Sequence, residues 1–195
     1  MAMHKKHATG YTLIELMAVL AIASTLLIVA IPMFRTQVQN SHMSAAATDL
    51  LSTFMSAKSQ AIGLNYPVTV CISNNAPDPD NLVCVENGQW EDGWFTFVDI
   101  DNDGAFDAAE EDLLKIHPPL AKHLTARSSQ TGDGTLENSV TYRSNGLTNL
   151  TATREIFICN AARYGVSARV LIVSMLGKAS ILKEEDVEED GCDNE

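Results

Sequence analysis

The sequence predicts an α+β protein: a long N-terminal helix, transmembrane in its first half, packed on a C-terminal antiparallel β-sheet head. Three observations carry this. No charge occurs from Leu16 to Phe34, the stretch after Arg35 is amphipathic at helical spacing, and from residue 67 onward short β-rich runs alternate with turn formers. Helix first and strands afterwards is the pattern of an α+β fold.

The uncharged run holds nineteen residues. As a helix it extends about 28 Å at ~1.5 Å per residue, close to the roughly 30 Å hydrocarbon core of a bilayer. Glu15 sits just inside the apolar stretch, where a carboxylate is costly unless it is neutralised, paired or able to reach water. Between Tyr11 and Leu64 the only glycine is Gly63 and the only proline is Pro32, so one long helix is expected. Pro32 should kink or loosen it, because proline removes a backbone donor and its ring crowds the preceding turn. Beyond Arg35, Val38, Met43, Ala47, Leu50, Leu51, Phe54, Met55, Ala61 and Ile62 recur at three- and four-residue steps and form an apolar face. Its expected partner is a sheet built from residues 67–73, 93–100, 111–116, 138–143, 155–159 and 168–174.

Thirteen basic and 25 acidic side chains give a net charge of −12, which disfavours nonspecific attraction to nucleic acid or anionic lipid. Lys5 and Lys6 precede the span and acid dominates after it, which orients the C-terminal part outward. About 130 residues follow the helix, enough for one hydrophobic core.

A secretory signal peptide places its small-residue cleavage site after the apolar segment, whereas here Gly10 precedes it. The segment Gly10-Tyr11-Thr12-Leu13-Ile14-Glu15-Leu16, followed by Ala30-Ile31-Pro32-Met33-Phe34, resembles the prepilin N-terminus of type IV pilins and type II secretion pseudopilins. The resemblance implies that a prepilin peptidase cuts between Gly10 and Tyr11 and methylates the new Tyr11 amine. Loss of Lys5 and Lys6 would leave eleven basic against 25 acidic side chains, a balance of −14. Glu15 becomes the fifth mature residue, whose carboxylate in that family pairs with the N-terminal amine of a neighbouring subunit. The implied organisation is a leader at 1–10, a transmembrane and filament-core half-helix at 11–35, an amphipathic half-helix at 36–64 and an exported β-rich head with an acidic tail at 65–195.

Within the head, Gly93-Trp94-Phe95-Thr96-Phe97-Val98-Asp99, Val140-Thr141-Tyr142-Arg143-Ser144-Asn145-Gly146, Ile156-Phe157-Ile158-Cys159 and Arg169-Val170-Leu171-Ile172-Val173-Ser174 leading to Gly177-Lys178 resemble the GspH/FimT group of minor pilins and pseudopilins. Physically these are strand cores ended by glycine turns, with Trp94, Phe95, Phe97, Tyr142 and Phe157 as packing residues. The resemblance implies a non-enzymatic minor type IV pilin that helps initiate pilus assembly or sits near the tip. Its partners would be other pilins, the prepilin peptidase and the inner-membrane assembly platform. The implied location is a single pass of the bacterial inner membrane with a periplasmic head. The alternative is an H-type pseudopilin of a type II secretion system; Pro32 within its AIPMF setting favours the pilus. Some relatives bind DNA through a glycine-arginine-x-arginine signature, but Gly177-Lys178-Ala179-Ser180 lacks both arginines. The tail from Glu184 to Glu195 carries eight carboxylates in twelve residues, so nucleic acid is disfavoured as a partner.

Export permits disulfides, and order along the chain suggests Cys71 with Cys84 and Cys159 with Cys192, one of the three pairings four cysteines allow. Asp99-x-Asp101-x-Asp103-Gly104-x-x-Asp107-x-x-Glu110 matches the twelve-residue calcium-loop pattern, with the Ala105 carbonyl as a further ligand and calcium as the candidate ion. The preceding run is strand-like rather than helical, and aspartate, asparagine and glycine also make turns without metal. An enzyme is disfavoured: no Ser-His-Asp spacing, HExxH motif or phosphate loop occurs, and His117 and His123 read as edge or surface residues.

Overall fold

A computed structural model describes residues 11–76, 78–85, 88–128, 138–160 and 168–183. The first element is a single helix, α1 (Leu13–Leu64), which runs unbroken through Pro32. Four residues after the proline, the Thr36 hydroxyl donates to its carbonyl at 3.2 Å. Two compact units divide within this helix at Val38/Gln39.

In the first unit every residue from Tyr11 to Val38 is exposed. This half of α1 is long and apolar enough to cross a membrane, with a mean hydropathy of 2.5 over its best window.

Among the described residues the second unit holds the rest of α1 and eight strands, β1 (Val68–Ile72), β2 (Trp94–Val98), β3 (Leu113–His117), β4 (Leu124–Ser128), β5 (Ser139–Tyr142), β6 (Arg154–Asn160), β7 (Arg169–Val173) and β8 (Ala179–Lys183). They form two antiparallel sheets, ordered β3-β2-β1-β5 and β4-β6-β7-β8, rather than one. Strands β4 and β8 lie outside the expected runs. They join the second sheet by pairing antiparallel to β6 and β7, a long-range contact that local spacing does not carry.

One hydrophobic core joins α1 to both sheets. Met43, Ala47, Leu50, Phe54, Ala57 and Ala61 meet Val68, Val70 and Ile72 of β1, Trp94 of β2, and Ile156, Ile158, Leu171 and Val173 of the second sheet. The helix stripe differs in detail from the sequence reading. Val38, Met55 and Ile62 are exposed, while Ala46, Thr53 and Ala57 are buried. The small side chains let backbones approach, and Thr53 is buried because its hydroxyl accepts the Trp94 indole N–H at 3.2 Å. Trp90, on a 3₁₀ turn (Trp90–Asp92), packs edge-on to Phe54 and donates to the Ser128 hydroxyl at 3.1 Å.

The opposite face of the first sheet holds a smaller cluster of Cys71, Phe95 and Phe97, covered by Leu82, Cys84 and Phe106. All five aromatics expected to pack, Trp94, Phe95, Phe97, Tyr142 and Phe157, are buried. Burial pushes the Tyr142 phenol well above its ordinary range.

Candidate functional site

Two sets of side chains carry chemistry beyond packing, the first turn of α1 and the loop between β2 and β3. At the helix start, the Thr12 hydroxyl accepts from the Glu15 backbone N–H at 3.3 Å, and the Glu15 carboxylate accepts from the Thr12 N–H at 3.5 Å. This reciprocal pair is a capping box, satisfying two backbone donors that a helix N-terminus otherwise leaves open. Its signal, threonine three residues ahead of glutamate, lies in the sequence beneath the stronger hydrophobic context that points to an intersubunit role for Glu15. Tyr11 is 80% exposed immediately before the cap. Gly10 lies outside the described residues.

The second set begins where β2 ends. Asp99 is fully buried, and its backbone N–H donates to the Pro67 carbonyl at 3.0 Å, tying it to the start of β1. Its Oδ2 accepts from the Thr69 hydroxyl at 2.7 Å and from the Gly104 N–H at 3.2 Å. Thr69 in turn shares a 2.7 Å hydroxyl contact with Thr141 of β5. The loop then folds on its own carboxylates: Asp101 accepts from the Asp103 N–H at 3.3 Å and Asp103 from the Ala105 N–H at 2.7 Å. Asn102 and Gly104 take positive φ of 60° and 77°, which asparagine and glycine tolerate. From beneath, Phe106 packs against Phe95 and Phe97 with ring centroids 5.3 and 5.1 Å away.

Asp99, Asp101 and Asp103 converge, with one carboxylate oxygen from each within 4.8 Å of the others, and this cluster could coordinate a divalent cation. Asp107 and Glu110 do not join it. Asp107 accepts from the Ala109 N–H at 2.9 Å in a local turn, and Glu110 is exposed beside a cavity of about 140 Å³ that Asp101, Asp103, Ala105 and Glu111 also line. Glu111, which lines the same cavity, is held by the backbone: its Oε1 accepts from the Ile100 N–H at 2.9 Å and its Oε2 from the Asp107 N–H at 3.0 Å, stapling both ends of the loop. Burial raises the Glu111 carboxyl above the ordinary glutamate range, the neighbouring Asp99 and Asp101 add to the rise, and the two backbone hydrogen bonds oppose it. Sequence spacing offered no reason to choose Glu111 over Glu110.

Cys71 and Cys84 form a disulfide with Cα atoms 5.5 Å apart, at the edge of the Phe95/Phe97 cluster. Cys159 is also disulfide-bonded, and Cys192, the partner expected for it, lies outside the described residues, as does the acidic tail. His117, on the edge strand β3, stacks on Trp94 at 3.8 Å and lies 3.5 Å from the Asp49 carboxylate. His123 sits edge-on to His42.

The family model described as type II transport protein GspH matches residues 46–177 of this chain, and the prokaryotic N-terminal methylation motif matches residues 5–31. No curated protein matches by sequence. Among solved structures, the type IV minor pilin FimU of Pseudomonas aeruginosa is similar at 18% identity and a TM-score of 0.56, covering 77% of this chain and 96% of FimU. A second crystal form of FimU gives 18% identity and a TM-score of 0.53, with 75% and 97% covered. The minor pseudopilin EpsH from the type 2 secretion system of Vibrio cholerae gives 10% identity and a TM-score of 0.49, with 73% and 97% covered. At these identities the FimU match speaks to the fold.

Proposed function

Because the chain belongs to the GspH family of type II transport proteins, we propose that it is a non-enzymatic structural subunit of an envelope filament, and specifically a minor pilin of a type IV pilus. One observation carries the reading: the wholly exposed half-helix from Tyr11 to Val38, uncharged from Leu16 to Phe34, joined to a head whose own core begins at Met43. An apolar surface of that length must be covered, first by lipid at the inner membrane and then by the equivalent helices of other subunits. Cleavage between Gly10 and Tyr11 by a prepilin peptidase would free the Tyr11 amine. In the filament Glu15 would then exchange part of its capping role for a charge pair with that amine on a neighbour. An inner-membrane assembly platform would receive the processed chain, with the head in the periplasm. Pro32 in its AIPMF setting favours a pilus over a secretion pseudopilus, while the description of the matching family model favours an H-type pseudopilin as the second reading.

The test uses Glu15→Ala beside Glu15→Gln in cells. Glutamine keeps the capping acceptor, since the box accepts either side chain, but carries no charge. Both variants should insert and be cleaved, and both should be lost from crosslinked complexes with other pilins, because a stranded charge in a buried pair costs about 3–5 kcal/mol. Wild-type incorporation of Glu15→Gln would refute the pairing role. Recovery of the native protein in sheared pili or with the secretion apparatus separates the two readings.

For the Asp99 loop we infer calcium as the ion. The converging donors are all carboxylate oxygens on a turn, which suits a large hard cation of flexible coordination better than zinc or copper, which take nitrogen and sulfur.

A further inference from the structure

Local turn geometry accounts for most of the β2–β3 loop. The carboxylates of Asp101, Asp103 and Asp107 each accept a backbone N–H two residues on, as turn-forming aspartates do without metal. Asp99 is different. Both donors that reach it, Thr69 and Gly104, bind Oδ2, while Oδ1 is buried and accepts no hydrogen bond among the described residues. No basic side chain forms an ion pair with it either among those residues. A buried carboxylate oxygen without a partner is costly, and two further carboxylates within 4.8 Å raise that cost. A cation relieves both at once.

We propose that Asp99 is the buried anchor of a single divalent-cation site, completed by Asp101 and Asp103, through which the ion straps the β2–β3 loop to the first sheet. The assignment rests on the calcium reading of this loop and names what holds the ion and what the ion holds. Thr69 donates to Asp99, so its oxygen is left to accept from Thr141; the two hydroxyls run a directed chain from β5 through β1 to the carboxylate. That chain fixes the Asp99 side chain with Oδ2 occupied and Oδ1 buried without a donor among the described residues, and one of its carboxylate oxygens lies within 4.8 Å of an oxygen from each of Asp101 and Asp103. Such an arrangement prepares a ligand in advance, as outer hydrogen bonds do at metal sites generally. Asp101 and Asp103, both exposed, complete the oxygen set at the surface. Glu111, whose oxygens are engaged by two backbone donors, positions the loop rather than binding the ion.

The test is calorimetry and thermal melting of the full chain in detergent micelles, titrated with calcium chloride and, separately, magnesium chloride. The native chain should bind one calcium ion with an affinity of about 10⁻⁴ to 10⁻³ M and show a saturable rise in melting temperature. Asp101→Asn/Asp103→Asn, which alters exposed side chains only, should lose both responses. Asp99→Asn should weaken calcium by at least about tenfold, the lower bound for loss of even an outer-shell partner. If Asp99→Asn fails to fold, amide NMR of the native chain decides instead: calcium should shift Gly104 and Thr69, the two residues bonded to Asp99. Calcium binding that leaves Gly104 and Thr69 unmoved, or that survives Asp99→Asn unweakened, would overturn the anchor while the calcium reading stands. Magnesium binding as tightly as calcium, with the same dependence on Asp99, would overturn calcium but keep the site. No heat and no shift with either ion at millimolar concentration would overturn both.

Discussion

Removing the Cys71–Cys84 bond tests how the head is held on the face away from α1. The two cysteines are 13 residues apart, and in the chain-entropy treatment a loop of this size contributes about 3 kcal/mol at 25 °C. Cys71 is fully buried beside Leu82, Phe95 and Phe97, so Cys71→Ala/Cys84→Ala also gives up sulfur burial of up to about 1 kcal/mol. The base of the loop keeps the hydrogen bond from the Val85 N–H to the Ile72 carbonyl at 3.1 Å, which should preserve the native fold in the variant. For a chain of this length each kcal/mol moves the melting temperature by about 2–4 °C, so the expected drop is roughly 6–16 °C. The assay is thermal unfolding of the full chain in detergent followed by near-ultraviolet circular dichroism, which reports the buried Trp90 and Trp94. The double alanine variant is preferred to a reductant, because reduction would also open the bond at Cys159. A drop below about 2 °C would refute the reasoning, showing that the segment is held by its other contacts whether or not the bond is present.

Three further outcomes follow from single positions. Gly104→Ala should cost about 1–2 kcal/mol, the penalty for a left-handed backbone alone, since a Cβ there meets open space. Gly177→Ala should cost more than about 3 kcal/mol, because at φ 71° its Cβ would also overlap the Gly146 carbonyl; equal losses in chemical denaturation would contradict that close approach. For Glu111, the raised folded-state pKa means that its contribution to stability is fully present below the ordinary value of 4.5 and is lost as pH rises through the folded value. NMR titration should place this carboxyl above a surface glutamate, and Glu111→Gln should flatten that part of the stability profile. A Glu111 titrating in the ordinary range would remove the burial argument.

The membrane-length helix and its passage into the head are legible in the sequence because apolar content and helical spacing are local properties. The limits of the helix stripe are less so: Thr53 and Ala57 become core only because Trp94 and the sheets come to meet them. Strands β4 and β8 go unmarked for the same reason, since what makes them strands is pairing with β6 and β7. In the loop, the spacing of Asp99, Asp101 and Asp103 with Gly104 is local and can be read directly. That Asp99 is buried, and that Glu111 rather than Glu110 receives the Ile100 and Asp107 N–H groups, depends on β1 supplying Thr69 and on the hairpin return to β3. Such facts belong to the fold and not to spacing. The capping box of Thr12 and Glu15 is local and legible, though a stronger signal falls on the same glutamate.

Mass spectrometry of the chain recovered from sheared filaments or from isolated secretion pseudopili tests the proposed role most directly. The expected species begins at a methylated Tyr11, retains Glu15 and the apolar half-helix, and is recovered together with other pilin-like subunits. A chain that still begins at Met1, one cut beyond Phe34, or one found only in the membrane fraction would contradict a filament subunit built on this helix.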